Sequence, residues 1–462
     1  MMNQEEKQLS KNCLRMALEA GADKARISFS KNTMNIVASL DGAIDKVTAC
    51  LDRSISISIF ADGRYGTFST NKLDEASLRD FIGRAIDTTR MLAPDAARDL
   101  PAPERTAKDA VTGNELGIYD PAWGSLTPGQ RIGFAVNNSI SAGVPHSCKD
   151  KGWTLVSEEG EYSDSESFNY VIDSGGTEAL HSETSFEFYT EVTIQDSRGN
   201  KFSGAWWEAA PKLKDFHPET VAPLALDEAV KQIGPKSCRS GKYRMIIDSE
   251  VSSKVLNPIL AALNAFSIQQ KNSFLDGSLG KHLFPAGLDI MDLPRIKGES
   301  CGKFFDSEGV ATSNHYIIKD GVVQEYFVNT YMANKLGIAP TIEDATRPYI
   351  HTFLGETLRT GAIEIPPKNG FDRQSLLALC RNGILVTDFC GGNCNGATGD
   401  FSYAIQGFRF KNGKIVHPVR EMLITGNILT LWSHLLAAGD DARRCREKLT
   451  PSLAFDEVDF SG

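Results

Sequence analysis

The pattern of this chain predicts an α+β protein: a helix-flanked antiparallel sheet at the N-terminal end, a central β-meander region, and a β-rich C-terminal domain. Three observations carry this. Apolar residues recur at helical spacing in isolated stretches, Gln4 to Ala20 and Asp74 to Leu92. Between and after those stretches apolar residues alternate with polar ones, the period of a half-buried strand. Asp-Gly and Asn-Gly steps punctuate the alternating runs, and a tight hairpin needs residues that tolerate positive φ.

At 462 residues the chain is too long for one ordinary core. It reads as three domains, 1–92, 107–240 and 241–462. In the first, the helix from Gln4 places Leu9, Cys13, Met16, Ala17 and Ala20 on one face, and Gly21 stops it. Met34, Ile36, Ala38 and Leu40 then alternate up to Asp41-Gly42, and Ile55, Ile57 and Ile59 alternate with serines up to Asp62-Gly63. The second helix buries Leu78, Phe81, Ile82, Ala85 and Leu92. Two helices beside antiparallel strands make a small α+β layer. Residues 93–106 hold Pro94, Pro101 and Pro103, which bar regular structure, and read as a linker.

The central region opens with Thr127-Pro128-Gly129-Gln130: a hydroxyl cap, a proline in the first turn and a glutamine at the capping-box position. Phe168 to Ile172 and the run Phe186, Phe188, Thr190, Val192, Ile194 read as strands parted at Gly175-Gly176, a meander with one apolar face. Glu178, Glu183, Glu187 and Glu191 are assigned to its polar face, expected to be solvated rather than to meet a partner. A further helix begins near Pro218 and ends before Gly234-Pro235. The C-terminal domain starts with the strand Tyr243 to Asp248 and carries hairpins at Lys319-Asp320-Gly321 and Lys411-Asn412-Gly413.

Bulk properties exclude some functions. The net charge of −10 argues against direct nucleic-acid binding, which needs clustered Lys and Arg to displace phosphate counterions. No apolar run reaches the ~18–20 residues of a membrane helix, and the N-terminus has no secretory core. The nine cysteines are odd in number and scattered. Cys390 and Cys394 form a C-x3-C pair with no second pair to complete a zinc pattern. Reduced thiols and a cytoplasmic location are expected. The eight histidines are scattered too, no two within five residues of each other, so no helix face presents a pair.

Two local features invite a chemical reading. Asp306 and Glu308 are two residues apart, and a carboxylate pair can divide acid and base roles if burial separates their pKa values. The expected arrangement is instead structural: a turn in which Asp306 takes backbone amides ahead of Gly309. The run Gly391 to Asp400 is rich in glycine, but Ala397 follows Gly396 where a phosphate loop needs Lys. It reads as backbone that turns sharply and lets an extended peptide approach closely. No Gly-x-Ser-x-Gly elbow is present.

Three blocks, in order, carry a resemblance. The first is Ser273-Phe274-Leu275-Asp276-Gly277 with Leu279-Gly280-Lys281. The second is Phe305-Asp306-Ser307-Glu308-Gly309 with Lys319-Asp320-Gly321, Tyr331, Ala333 and Lys335-Leu336-Gly337. The third is Thr398-Gly399-Asp400-Phe401-Ser402 with the run Glu421 to Asn427. Together they resemble the TldD/PmbA family, described as metallopeptidases and formerly as modulators of DNA gyrase. That family has two kinds of subunit. The TldD-like kind carries His-Glu-x-x-x-His on one helix, and those histidines hold zinc; the PmbA-like (TldE-like) kind lacks the motif. The corresponding helix here, Val255 to Ala265, contains neither His nor Glu. The C-terminal cysteine that the TldD-like subunit adds as a ligand aligns with Thr450, about five residues from Cys445. After Gly337 the chain departs from the family, with Ile338 to Ile342 replacing a Thr-Gly turn.

The resemblance implies a PmbA/TldE-like subunit with no catalytic residues, metal or cofactor of its own. Zinc is then expected in a TldD-like partner, although a homodimer also fits. It further implies a cleft that takes unfolded peptide as an added strand, with Asn395, Asp400 and Ser402 as the candidates to line it. Asp306, Glu308 and Gly309 form a structural motif. No direct nucleic-acid contact and no membrane contact are expected. Two other readings stay open: a self-sufficient peptidase with a site not visible in the sequence, and a protein that modulates gyrase by contact.

Overall fold

The structure is a computed structural model that describes residues 2–141, 151–355 and 371–462; His146 and Cys148 lie outside them. It divides into two compact units. The first comprises Met1–Lys231, Arg295–Thr312 and Thr330–Ile338, and the second Gln232–Pro294, Ser313–Asn329 and Ala339–Gly462. Among the described residues, no helix is long and apolar enough to cross a membrane.

The first unit is built on one antiparallel sheet. Its strands are β1 (Lys24–Leu40), β2 (Ala43–Ala61), β3 (Arg64–Thr70), β4 (Trp153–Asp173), β5 (Glu178–Asp196) and β6 (Lys201–Ala210). Their order is β3-β2-β1-β4-β5-β6, so this single sheet draws strands from both expected N-terminal domains. The division at 92–107 is therefore corrected. Its physical cause is a long-range pairing that local periodicity does not report: Phe29 of β1 faces Ile55 of β2 on one side and Tyr170 of β4 on the other. Residues 93–106 are packed rather than a free linker. Leu100 is buried, Lys24 pairs with Asp99 at 2.6 Å, and a short 3-10 turn occupies Pro103–Arg105.

Helices α1 (Gln4–Glu19) and α2 (Glu75–Met91) cover one end of the sheet. Asn3 and Glu6 form a capping box on α1, and the Asp74 side chain caps α2. Cys13, Met16, Ala17, Leu78, Ile82 and Ala85 pack on Ile27, Phe29, Ile55, Ile57 and Ile59. Ala20 and Leu92, assigned to the buried faces, are exposed cap residues instead. The phase of β1 also differs by one residue. Its buried apolar residues are Ala25, Ile27, Phe29 and Val37, with Ser39 in the same phase and Arg26 buried on the other, so Met34, Ile36, Ala38 and Leu40 point to the less covered side. A one-residue change of phase moves every side chain to the other face.

Helix α3 (Pro128–Asn137) starts with the expected capping box of Thr127 and Gln130. It covers the other end of the sheet, where Phe134 stacks on Tyr162 at 5.0 Å. Helix α4 (Val221–Lys231) lies so close to β6 that a Cβ on Gly204 would stand 2.2 Å from the Ala229 nitrogen. Of the four glutamates assigned to one polar face, Glu183, Glu187 and Glu191 share a parity along β5. Glu178 does not: it pairs instead with Lys11 of α1 at 2.9 Å.

Returning segments complete this unit. Asp306 Oδ1 accepts the N–H groups of Glu308 and Val310, both at 2.9 Å. Gly309 has φ +82°, and a Cβ there would sit 2.9 Å from the Thr177 methyl. Glu308 has a different task. Its Oε2 accepts from the Thr330 N–H (2.9 Å) and hydroxyl (2.8 Å) at the start of a short helix, Thr330–Leu336. The two carboxylates thus act in a turn and at a helix end, not as a pair on one side of an extended strand. The Arg98 guanidinium lies between two rings, 3.5 Å from the Tyr331 centroid and 4.8 Å from that of Tyr65. We expect Arg98→Ala to lower stability by about 1–2 kcal/mol through loss of both cation–π contacts, read as a lower urea midpoint at unchanged slope.

The second unit holds β7 (Gly241–Ile247), β8 (Ile290–Asp292), β9 (His315–Lys319), β10 (Val322–Val323), β11 (Pro348–Ile350), β12 (Phe353–Leu354), β13 (Gly383–Cys394), β14 (Asp400–Lys411), β15 (Lys414–Asn427), β16 (Leu435–Ala438) and β17 (Leu453–Ser461). Strands β10-β9-β8-β11 make a small sheet. The larger one runs β12-β16-β17-β15-β14-β13-β7, and an extra β17–β7 pairing closes it into a barrel-like ring. The turn residues Asp41-Gly42, Asp62-Gly63, Asp320-Gly321 and Asn412-Gly413 all have positive φ, as their hairpins require.

A half-buried ion pair starts β9 of the small sheet, His315 to Glu325 at 2.5 Å, with Asp292 nearby. Burial works against the charged imidazole, but the hydrogen bond and charge of Glu325 outweigh it and raise the His315 pKa. Burial raises the Asp292 pKa as well. A group whose folded pKa is raised stabilises the fold below its unfolded pKa, and that contribution fades as pH climbs through the folded value. His315→Gln is therefore expected to lose about 1–3 kcal/mol below about pH 6, with the gap from the native chain narrowing as pH climbs through the raised His315 value. Thermal unfolding of both proteins across that range checks it.

Candidate functional site: a polar cleft beside a free strand edge

Helix α5 (Ser253–Ala262) forms one wall of the site. It buries Val255, Leu256, Ile259 and Leu260, which leaves Lys254, Asn257, Pro258 and Ala261 on the opposite stripe at i, i+3, i+4 and i+7. Trp432 Nε1 donates to the Val255 carbonyl at 3.1 Å and fixes the buried side of the helix. At its far end Ser273 Oγ donates to the Ala262 carbonyl at 2.6 Å. The backbone N–H of Phe274 donates to the Gly396 carbonyl at 3.0 Å. The Ser273–Gly277 block thus joins α5 to the glycine-rich loop.

That loop and the strands beside it form the other wall. The cleft between them has a volume of about 440 Å³; Gly392, Asn393, Cys394, Gly396 and Tyr403 line this side, and Ser267 and Asn272 also border it. Gly392 has φ +95°, and a Cβ there would stand 2.0 Å from the Ser402 carbonyl oxygen, so only glycine fits. Strand β13 is covered on both edges only over its first part. Ile384, Leu385 and Val386 pair with β7, whereas the pairing from Asp388 to Cys394 is with β14 alone among the described strands. Among the described residues no strand pairs with the other edge of that stretch, whose Gly392, Asn393 and Cys394 line the cleft.

The electrostatics are simple. Among the described residues Lys254 is the one charged residue lining the cleft, with its ammonium 4.9 Å from the Tyr403 ring centroid. Burial and then the nearby Cys394 push the Tyr403 hydroxyl up to about 12. Burial, then the charge of Asp400, raises the Cys394 thiol as well. Both groups are protonated at neutral pH.

None of Asn395, Asp400 and Ser402 lines this cleft. Asn395 and Asp400 shape the loop behind it. Asn395 Oδ1 accepts from the Ala397 N–H at 2.9 Å, and the Asn395 N–H donates to the Asp400 carbonyl at 2.8 Å. The Asp400 carboxylate accepts from Asn427 Nδ2 (3.0 Å) and Thr398 Oγ1 (2.7 Å), which hold its pKa below the ordinary range. Ser402 pairs with Asn393 in the β13–β14 register, one residue from Tyr403, and lies outside the cleft lining. Lys254, Asn257, Asn272, Asn393 and Tyr403 were not singled out from the sequence. The polar positions at helical spacing in Val255 to Ala265 and just before it were the signal for the first two.

Relatives share this architecture. Residues 240–462 match the PmbA/TldA metallopeptidase C-terminal domain. A solved structure from Bacteroides thetaiotaomicron, described as a proposed modulator of DNA gyrase, has a TM-score of 0.91 and 35% identity with 100% of both chains covered. The metalloprotease PmbA homolog of Haemophilus influenzae is 25% identical over 459 residues, 99% of this chain and 96% of its own. The chain belongs to the PmbA/TldD metallopeptidase family. TldE from Thermococcus kodakarensis has the same fold, with a TM-score of 0.77 at 16% identity over 98% of this chain and 100% of its own.

A metallopeptidase family implies zinc, and the cleft's donors can be tested against it. Zinc sites take thiolate, imidazole and carboxylate ligands, three or four of them converging. The lining offers the amides of Asn257, Asn272 and Asn393, the hydroxyls of Ser267 and Tyr403, one protonated thiol and an ammonium. On α5, the lining residues at the i, i+1, i+5 spacing of His-Glu-x-x-x-His are Asn257, Pro258 and Ala262. Thr450 is buried, and its carbonyl accepts from the Ser252 hydroxyl just ahead of α5 at 3.3 Å. Among the described residues no group of three or more His, Cys, Asp or Glu is placed to hold a metal. This donor set does not fit zinc.

Proposed function

We propose that this chain is the PmbA/TldE-like, non-zinc-binding subunit of a cytoplasmic TldD/TldE-type metallopeptidase that degrades or processes unfolded peptides. It pairs with a TldD-like zinc-bearing chain, or with a second copy of itself, and supplies cleft walls rather than metal ligands. The observation that supports this most is the open edge of β13 beside a cleft lined by amides, hydroxyls and backbone. An extended peptide adding to that edge would gain main-chain hydrogen bonds whatever its sequence, and a folded protein could not present such a strand. A bulge between Phe389 and Gly391 interrupts the stretch from Asp388 to Cys394, and Gly391 to Cys394 beyond it gives about 13 Å of edge at strand rise, room for about four peptide residues.

The test is hydrolysis of an unfolded peptide by this chain alone, by a TldD-like chain alone, and by the mixture. Cleavage is expected only where the TldD-like chain is present, and to rise when both are mixed. Cleavage by this chain alone would overturn the reading.

A further inference from the structure

Lys254, Asn257, Asn272 and Asn393 all border the cleft. Among the described residues Lys254 has no carboxylate at ion-pair distance, and its ammonium rests on the Tyr403 ring. Asn257, Asn272 and Asn393, which share the lining, have side chains with no hydrogen bond to other described groups. Pro258, Ala261 and Ala262 supply hydrocarbon around them. A cation so placed, with no counter-charge among the described residues, is complementary to an incoming anion. Hydrogen bonds between ionised groups are short and about twice as strong as neutral ones, and partial enclosure strengthens them further. The amides bear both donors and acceptors and suit the peptide groups on either side of such an anion.

We propose that Lys254 is the specificity-determining residue of this cleft, and that it recognises a carboxylate of the bound peptide. The inference rests on the cleft being a peptide site. Two sources share the chemistry, the free C-terminal carboxylate and an Asp or Glu side chain. With Lys254 on α5 and the open edge on β13, the peptide strand would run along β13 and place its carboxylate toward the helix.

The experiment uses fluorescence anisotropy with the full chain and three extended peptides of one sequence. One has a free C-terminus, one an amidated C-terminus, and one is amidated with an internal Glu. The free acid is expected to bind about tenfold tighter than the plain amide. If the internal-Glu amide regains that affinity, the site takes either source; if it does not, the terminal carboxylate is the ligand. Lys254→Met should bring acid and amide to equal affinity, while Lys254→Arg should keep them apart. Melting curves of both variants confirm that the fold is intact. Equal binding of acid and amide by the native chain would overturn the role of Lys254 and leave the peptide cleft standing. Binding of no peptide at all would overturn both.

Discussion

Trp432→Ala is expected to cost about 3–5 kcal/mol of stability, the range for truncating a large buried aromatic side chain. Trp432 is fully buried, edge-on to Phe284 at 6.1 Å and to Phe455 at 5.9 Å. The structure adds a local consequence: the indole N–H holds the Val255 carbonyl, so the change also loosens α5 and the wall it gives the cleft. Trp432→Phe keeps most of the packing and removes that one hydrogen bond, for a loss of about 1 kcal/mol. Urea unfolding ranks the three proteins. An alanine variant within about 1 kcal/mol of the native chain would mean that this core does not hold the helix as described.

Gly392 should be the least replaceable residue of the cleft. With φ +95° and a Cβ projected 2.0 Å from the Ser402 oxygen, any side chain meets backbone that has nowhere to go. Gly392→Ala is expected to lose about 3 kcal/mol or more and to break the β13–β14 pairing locally. Gly396 is the control. A Cβ there would meet the Asn272 side chain and carbonyl at 3.3–3.4 Å, contacts a small shift relieves. Gly396→Ala should stay within about 1 kcal/mol of the native chain. Equal melting temperatures for the two variants would contradict this account of the loop.

These two residues differ in how far the sequence announced them. Hairpin turns were plainly legible, since Asp-Gly and Asn-Gly name a backbone conformation that few other residues adopt. The cap at Thr127 was legible because a capping box is a local pattern. The phase of β1 was not, because both faces of that strand carry apolar residues and alternation alone does not say which face meets helices. The continuous six-stranded sheet was hidden for another reason: β1 and β4 are about 130 residues apart, and their pairing leaves no local trace. At the cleft, the glycine-rich run and the helix Val255 to Ala265 were each read as special. What local pattern lacked was their adjacency. It therefore favoured the conspicuous polar residues Asn395 and Asp400, which shape the loop, and Ser402 of β14, over Asn393 and Tyr403, which border the cleft.

The central claim is that the helix wall which would grip zinc in a TldD-like chain offers amide, pyrrolidine and methyl groups here. The most direct check is zinc titration, followed by elemental analysis, of this chain purified without a partner. The account predicts no stoichiometric retention after dialysis. About one equivalent held tightly by the chain's own side chains, and lost on substitution of residues around α5, would contradict it.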